Sequence, residues 1–117
     1  MATTECLKDY DDSLPVLRQI VDLIVETVSP DKVILFGSYA RGDFTQKSDV
    51  DIIVLKRNLQ RGLDVIDLLY DVLFEKKIKI AVDFISIDYD KYYELCHVLG
   101  YIYKTINKEG KVLYAKL

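Results

Sequence analysis

The sequence predicts an α/β (α+β) domain in which a small mixed β-sheet is flanked by helices. Two observations lead there. Apolar positions fall in the order helix, strand, short helix, strand, helix, strand, helix, with short β-branched runs between segments of helical spacing. The first two strands are linked by only about a dozen residues, too few for a comfortable crossover helix, so an antiparallel neighbour or a tight helical turn is expected between them.

Each element follows from local pattern. Leu14, Leu17, Ile20, Val21, Ile24 and Val28 recur at helical spacing, with Asp12 or Ser13 as N-cap and Pro15 in the first turn. Ser29-Pro30-Asp31 ends that helix, and Lys32 to Phe36 is a short apolar run stopped by Gly37, read as a buried strand. Asp49 to Leu55 (DVDIIVL) is the second strand. From Leu63 to Glu75, Val65, Ile66, Leu69, Val72 and Leu73 fit one helix face, with Asp64, Asp67 and Asp71 on a solvated opposite face. Lys76, Lys77 and Lys79 favour that helix's C-terminal dipole. Ile78 to Ile87 (IKIAVDFISI) reads as the third strand. Residues 89 to 107 read as one Tyr-rich helix that contains His97, and Gly110 releases a tail, KVLYA, able to add an edge strand.

The 117 residues are predicted to form a single domain, residues 1–117, with 1–11 a loose N-terminal segment. Half of the chain is apolar and 30% is charged, a globular composition. Nineteen acidic residues against sixteen basic ones give a net charge of −3, which argues against a protein whose main task is coating nucleic acid. A small nucleotide remains open, since a few local groups can hold one. No apolar run reaches the ~20 residues that span a bilayer, and the N-terminus lacks the pattern of a secretory signal. Cys6 and Cys96 could form one disulfide, but they read better as reduced thiols of an intracellular protein. With a single His beside them, they make no zinc site.

The segment that carries chemistry is Gly37-Ser38-Tyr39-Ala40-Arg41-Gly42-Asp43, followed by Ser48-Asp49-Val50-Asp51. Residues i and i+2 of a strand share a face, so the carboxylates of Asp49 and Asp51 stand roughly 7 Å apart at Cα and can converge. Val50, Ile52 and Val54 point the other way, into apolar packing. Two like charges on a largely buried strand repel and are costly to desolvate, and a hard divalent cation such as Mg²⁺ or Mn²⁺ relieves both. Asp83 interrupts an otherwise apolar strand and needs a partner there. If its strand lies beside that of Asp49 and Asp51, three carboxylates meet, enough to hold two metals about 3.5–4 Å apart for displacement at phosphorus. Gly37 lets a ligand approach the backbone, the Ser38 hydroxyl and free N–H groups at the start of a short helix suit an anion, and Arg41 can fork onto phosphate.

The stretch GSYARGDFTQKSDVDIIV, with a lone Asp on a later strand, resembles the minimal (MNT) branch of the DNA polymerase beta-like nucleotidyltransferase superfamily. The likeness runs from about residue 12 to the C-terminus, including the strand of Asp83 and the closing Gly110-Lys-Val-Leu-Tyr114. It implies a polymerase beta-like nucleotidyltransferase core, with Gly37 and Ser38 on the β- and γ-phosphates of an NTP. It also implies Asp49 and Asp51 as ligands of one or two Mg²⁺ ions, Asp83 completing the site as base, and Arg41 contacting phosphate. The reaction implied is transfer of NMP, AMP from ATP, to a hydroxyl. Members of this type resemble antitoxins of HEPN–MNT modules, which adenylylate a tyrosine of a HEPN ribonuclease. The resemblance thus implies a HEPN-type protein partner and a prokaryotic, cytoplasmic setting. Two other readings are a small-molecule acceptor of the aminoglycoside kind and a non-catalytic binding antitoxin or assembly subunit. Neither a membrane nor a template nucleic acid is an expected partner. Six of nine tyrosines lie between Tyr89 and Tyr114, and this end is expected to form a protein contact or a homo-oligomer seam.

Overall fold

The computed structural model describes residues 15–45 and 47–116. The elements are α1 (Pro15–Val28), β1 (Lys32–Phe36), α2 (Gly37–Arg41), β2 (Val50–Lys56), α3 (Gly62–Glu75), β3 (Val82–Asp88), α4 (Tyr89–Leu95), α5 (Ile102–Glu109) and β4 (Lys111–Ala115). The four strands form one mixed sheet in the order β3-β2-β1-β4. β1 is antiparallel to both β2 and β4, and β2 is parallel to β3. The β1–β2 link provides both features its length called for, an antiparallel return and a one-turn helix.

Two apolar layers fix the sheet. On one face Leu17, Ile20, Val21, Ile24 and Val28 of α1 and Val65, Leu69 and Leu73 of α3 pack on Val33, Leu35, Val50, Ile52 and Val54. The periodicity of α1 and α3 is therefore the periodicity of their buried faces, and Asp64, Asp67 and Asp71 stay exposed. On the other face Ile34, Ile53, Leu55 and Ile87 meet Tyr92, Cys96 and Ile106. β2 is thus covered on both sides, as its near-continuous apolar run requires. Cations fasten α4 to the end of the sheet. Lys32 donates to the Tyr93 hydroxyl and lies over its ring, and the Arg57 guanidinium sits 4.3 Å from the ring centroid of Tyr89.

Three expectations are corrected. The third strand starts at Val82, not Ile78; Ile78 and Ile80 still pack on the core, but from the loop after α3. The Tyr-rich segment forms two helices, since the chain turns after Leu95 and passes through Gly100 at φ 93, a left-handed position between α4 and α5 that breaks helical continuity. His97 lies in that turn and is exposed. The second strand begins at Val50, which leaves Asp49 just before it. Cys96 is free and buried. Cys6, the proposed caps Asp12 and Ser13, Leu14 and the expected loose segment 1–11 lie outside the described residues. Among the described residues no helix is long and apolar enough to cross a membrane.

Candidate active site

Phe36, the last residue of β1, pairs in register with Asp51, and Asp51 pairs on its other side with Asp83. The chain leaves β1 through Gly37 at φ 71 and coils at once into α2, with Gly42 at φ 86 closing the turn. A Cβ built on Gly37 would collide with Oδ2 of Asp51. The glycine therefore serves both a left-handed backbone and a close approach. The result is a turn seated directly against a carboxylate. Ser38 is half-buried and its side chain makes no hydrogen bond to a described residue, while its carbonyl accepts from the N–H groups of Gly42 and Asp43.

Asp51 and Asp83 lie directly across from each other on neighbouring strands, on the face of α4 and α5. Like charges so placed destabilise a sheet. The electrostatics reflect it: burial raises the pKa of Asp51 above the usual carboxylate range, and the charges of Asp83 and Asp49 raise it further. Only Arg41 opposes them. That guanidinium is half-exposed and held between Asp43, at 3.2 Å, and Glu109 of α5, at 3.7 Å. The ring of Tyr39 stacks on Phe44 at 4.2 Å and 7°, pinning the start of the loop that leads to Asp49.

Asp83 departs from the expectation of a buried carboxylate with a partner. β3 is an outer strand, and Asp83 is exposed to water. Asp49 is exposed as well. Among the described residues no three His, Cys, Asp or Glu side chains stand close enough to hold a metal ion between them. The donor set nevertheless suits Mg²⁺, which commonly takes one or two carboxylates together with substrate phosphate oxygens. The negative charge gathered at Asp51, which Arg41 only partly offsets, is what such a cation would neutralise. A cleft of about 190 Å³ lined by Asp31, Arg57, Tyr89 and Lys116 lies at the other end of the sheet, away from these carboxylates.

Sequence reasoning did not find the contact between Glu109 and Arg41, nor a contact of Tyr70 with β3 taken up below. Neither residue belongs to a motif, and only the packing of α5 and α3 brings them in.

The fold is thus a small α/β domain that carries a strand-to-helix glycine turn set against a pair of facing carboxylates. The family described as "Polymerase beta, Nucleotidyltransferase" matches residues 18–116, and the chain belongs to that family. Three relatives come from Methanocaldococcus jannaschii, each named "Putative protein adenylyltransferase". MJ0604 is 32% identical over 83 residues, covering 71% of this chain and 77% of its own length. MJ0141 is 59% identical over 29 residues, 25% of this chain and 29% of that protein. MJ1305 is 48% identical over 44 residues, 37% of this chain and 30% of that protein. The chain thus spans under a third of the length of two of these relatives. A solved structure from Sulfolobus solfataricus, titled as a "putative nucleotidyltransferase", superposes with a TM-score of 0.57 at 19% identity over 94% of this chain and 86% of its own, a likeness of fold.

Proposed function

We propose that this protein is a Mg²⁺-dependent nucleotidyltransferase that moves AMP from ATP to a hydroxyl group, and that the acceptor is a protein tyrosine. The observation that carries the reading is the facing pair Asp51 and Asp83 with the Gly37 turn seated against it. In this reading the Gly37 backbone and the Ser38 hydroxyl hold the β- and γ-phosphates, and Arg41 exchanges a carboxylate partner for phosphate. Asp49, Asp51 and Asp83 would hold Mg²⁺, which would supply charge neutralisation at the transferring phosphoryl group. Asp83, the most open of the facing pair, takes the proton of the acceptor hydroxyl. The acceptor oxygen then bonds to the α-phosphorus, the bond from that phosphorus to the bridging oxygen breaks, and pyrophosphate leaves.

A protein acceptor is supported by the relatives' names and by the exposed apolar and tyrosine surface at the turn between α4 and α5. There Val98, Leu99, Tyr101 and Ile102 are 42%, 78%, 49% and 53% exposed. By its resemblance to the antitoxins, the partner is a HEPN-type protein and the setting a prokaryotic cytoplasm. A second copy of the chain is the other occupant of that surface.

The test is label transfer from ATP labelled at the α-phosphate, in a lysate of the native host with Mg²⁺, comparing wild type with Asp49→Asn/Asp51→Asn. A labelled protein formed only by wild type supports the reading, and a labelled small molecule moves the acceptor to the aminoglycoside-like class. No label together with no Mg·ATP binding would leave a non-catalytic binding antitoxin or assembly subunit.

A further inference from the structure

Among the described residues β3 pairs with one strand, β2. On its other side a single side chain from α3 takes the place of a strand. The Tyr70 hydroxyl donates to the carbonyl of Val82 at 3.0 Å and accepts the N–H of Phe84 at 3.2 Å. These two peptide groups flank Asp83. The Tyr70 ring meets the ring of Phe84 edge-on at 5.1 Å, and Phe84 is itself buried in the core. One phenol therefore ties the backbone on both sides of Asp83 to a helix whose Leu69 and Leu73 are buried under the sheet.

The charge distribution gives that tie a task. Asp51 and Asp83 face each other in register as like charges, and the two strands that carry them do not resist equally. β2 is held by β1 on its other side and buried on both faces, so it is the more firmly anchored of the two. Among the described residues β3 pairs with one strand only, so the repulsion bears mainly on β3.

We propose that Tyr70 is a positioning residue that holds Asp83 in register opposite Asp51. The inference rests on the reading of Asp83 given above as a group of the active site. Blunting a sheet edge against other chains is a purely structural use of the same contact, and it makes a different prediction. An edge guard lowers stability or solubility when lost and leaves turnover alone, whereas a positioning residue lowers turnover through Asp83.

The test is a double-mutant cycle on the full chain with Tyr70→Phe, Asp83→Asn and the combined variant. It reads thermal midpoint, kcat and KM for ATP, amide hydrogen exchange at Phe84, and Mn²⁺ affinity by calorimetry with a non-hydrolysable ATP analogue. Tyr70→Phe is expected to speed exchange at Phe84, lower kcat by ~10-fold with KM within about twofold, and weaken Mn²⁺ binding several-fold. In the Asp83→Asn background the hydroxyl no longer affects Mn²⁺ affinity, the readout that survives if turnover is erased. Tyr70→Gln, which keeps a donor and an acceptor without the ring, retains more kcat than Tyr70→Leu. An equal Tyr70→Phe penalty in both backgrounds, or faster exchange with kcat and Mn²⁺ affinity unchanged, overturns the proposal. Wild-type kcat and Mn²⁺ affinity in Asp83→Asn alone would instead remove the active-site reading of Asp83, and the positioning role with it.

Discussion

The carboxylate of Asp51 occupies the space where a side chain on Gly37 would begin. Gly37 also sits at φ 71, where a Cβ adds a backbone cost of about 1–2 kcal/mol even in open space. Gly37→Ala is therefore expected to lower the melting temperature and to reduce nucleotidyl transfer by ~100-fold or more, because the turn and the carboxylate are displaced together. Gly42→Ala is the control: Gly42 has φ 86 but nothing within 4 Å of its Cβ position. It is expected to cost only the backbone term and to keep its activity.

Asp51 makes the protein's stability depend on acid in an unusual direction. Its folded pKa lies above the ordinary 3.8, through burial first and then Asp83 and Asp49. The folded state thus binds this proton more tightly than the unfolded state. The cost of ionisation is absent below the ordinary value and fully present above the raised one. Asp51→Asn is expected to melt higher than wild type at neutral pH without divalent ions, with the difference closing as the pH falls towards ~4. Added Mg²⁺ with a non-hydrolysable ATP analogue should stabilise wild type more than the variant. Calorimetric melts across pH check both, and a variant that melts lower at neutral pH contradicts the electrostatic account.

Tyr92 sets an alkaline limit. Burial, then Tyr93 and Cys96, push its pKa from 10.0 to about 12. The neutral phenol is the form the fold tolerates, so its stabilisation is complete below 10.0 and is lost as the pH rises towards the folded value of about 12. Tyr92→Phe is expected to flatten the fall of the melting temperature over that interval. A fall of the same steepness in the variant would assign the alkaline loss to other groups.

The Tyr114 hydroxyl is buried with no hydrogen-bond partner among the described residues, on a side chain that is 0% exposed. A buried unsatisfied hydroxyl costs about 1–3 kcal/mol. Tyr114→Phe removes it without changing the ring that fills the core, and chemical denaturation should show a gain of ~1 kcal/mol. A loss of stability would reveal a partner for the hydroxyl.

The helices α1 and α3, the strands β1 and β2 and the closing strand β4 were legible because each buries a face that its apolar spacing announces. β3 was read four residues too early because Ile78 and Ile80 are core residues. Apolarity alone does not separate a strand from a loop that packs inward. The break between α4 and α5 was hidden because Tyr92 and Ile106 bury on the same side of the sheet from different helices, which mimics one continuous stripe. At the candidate site, the closeness of Gly37 and Asp51 follows from the sequence, since a strand end followed by Gly-Ser and an Asp-x-Asp constrain each other through an antiparallel return. It overstated the burial of Asp83, because edge position in a sheet is a property of strand order, which no local pattern records.

The pairing of β1 with β4 has a consequence for how the chain is made. Lys32 meets Ala115, a contact that closes a loop of about 80 residues. During synthesis β1 and β2 can join early, being near neighbours in the chain. The far side of β1 then stays open until residues 111–115 have emerged, with its N–H and C=O groups unpaired and available to any extended segment nearby. The sheet is completed by the last of its own four strands to emerge, so shortening that strand is expected to damage folding yield in the cell more than the loss of its few contacts alone would suggest.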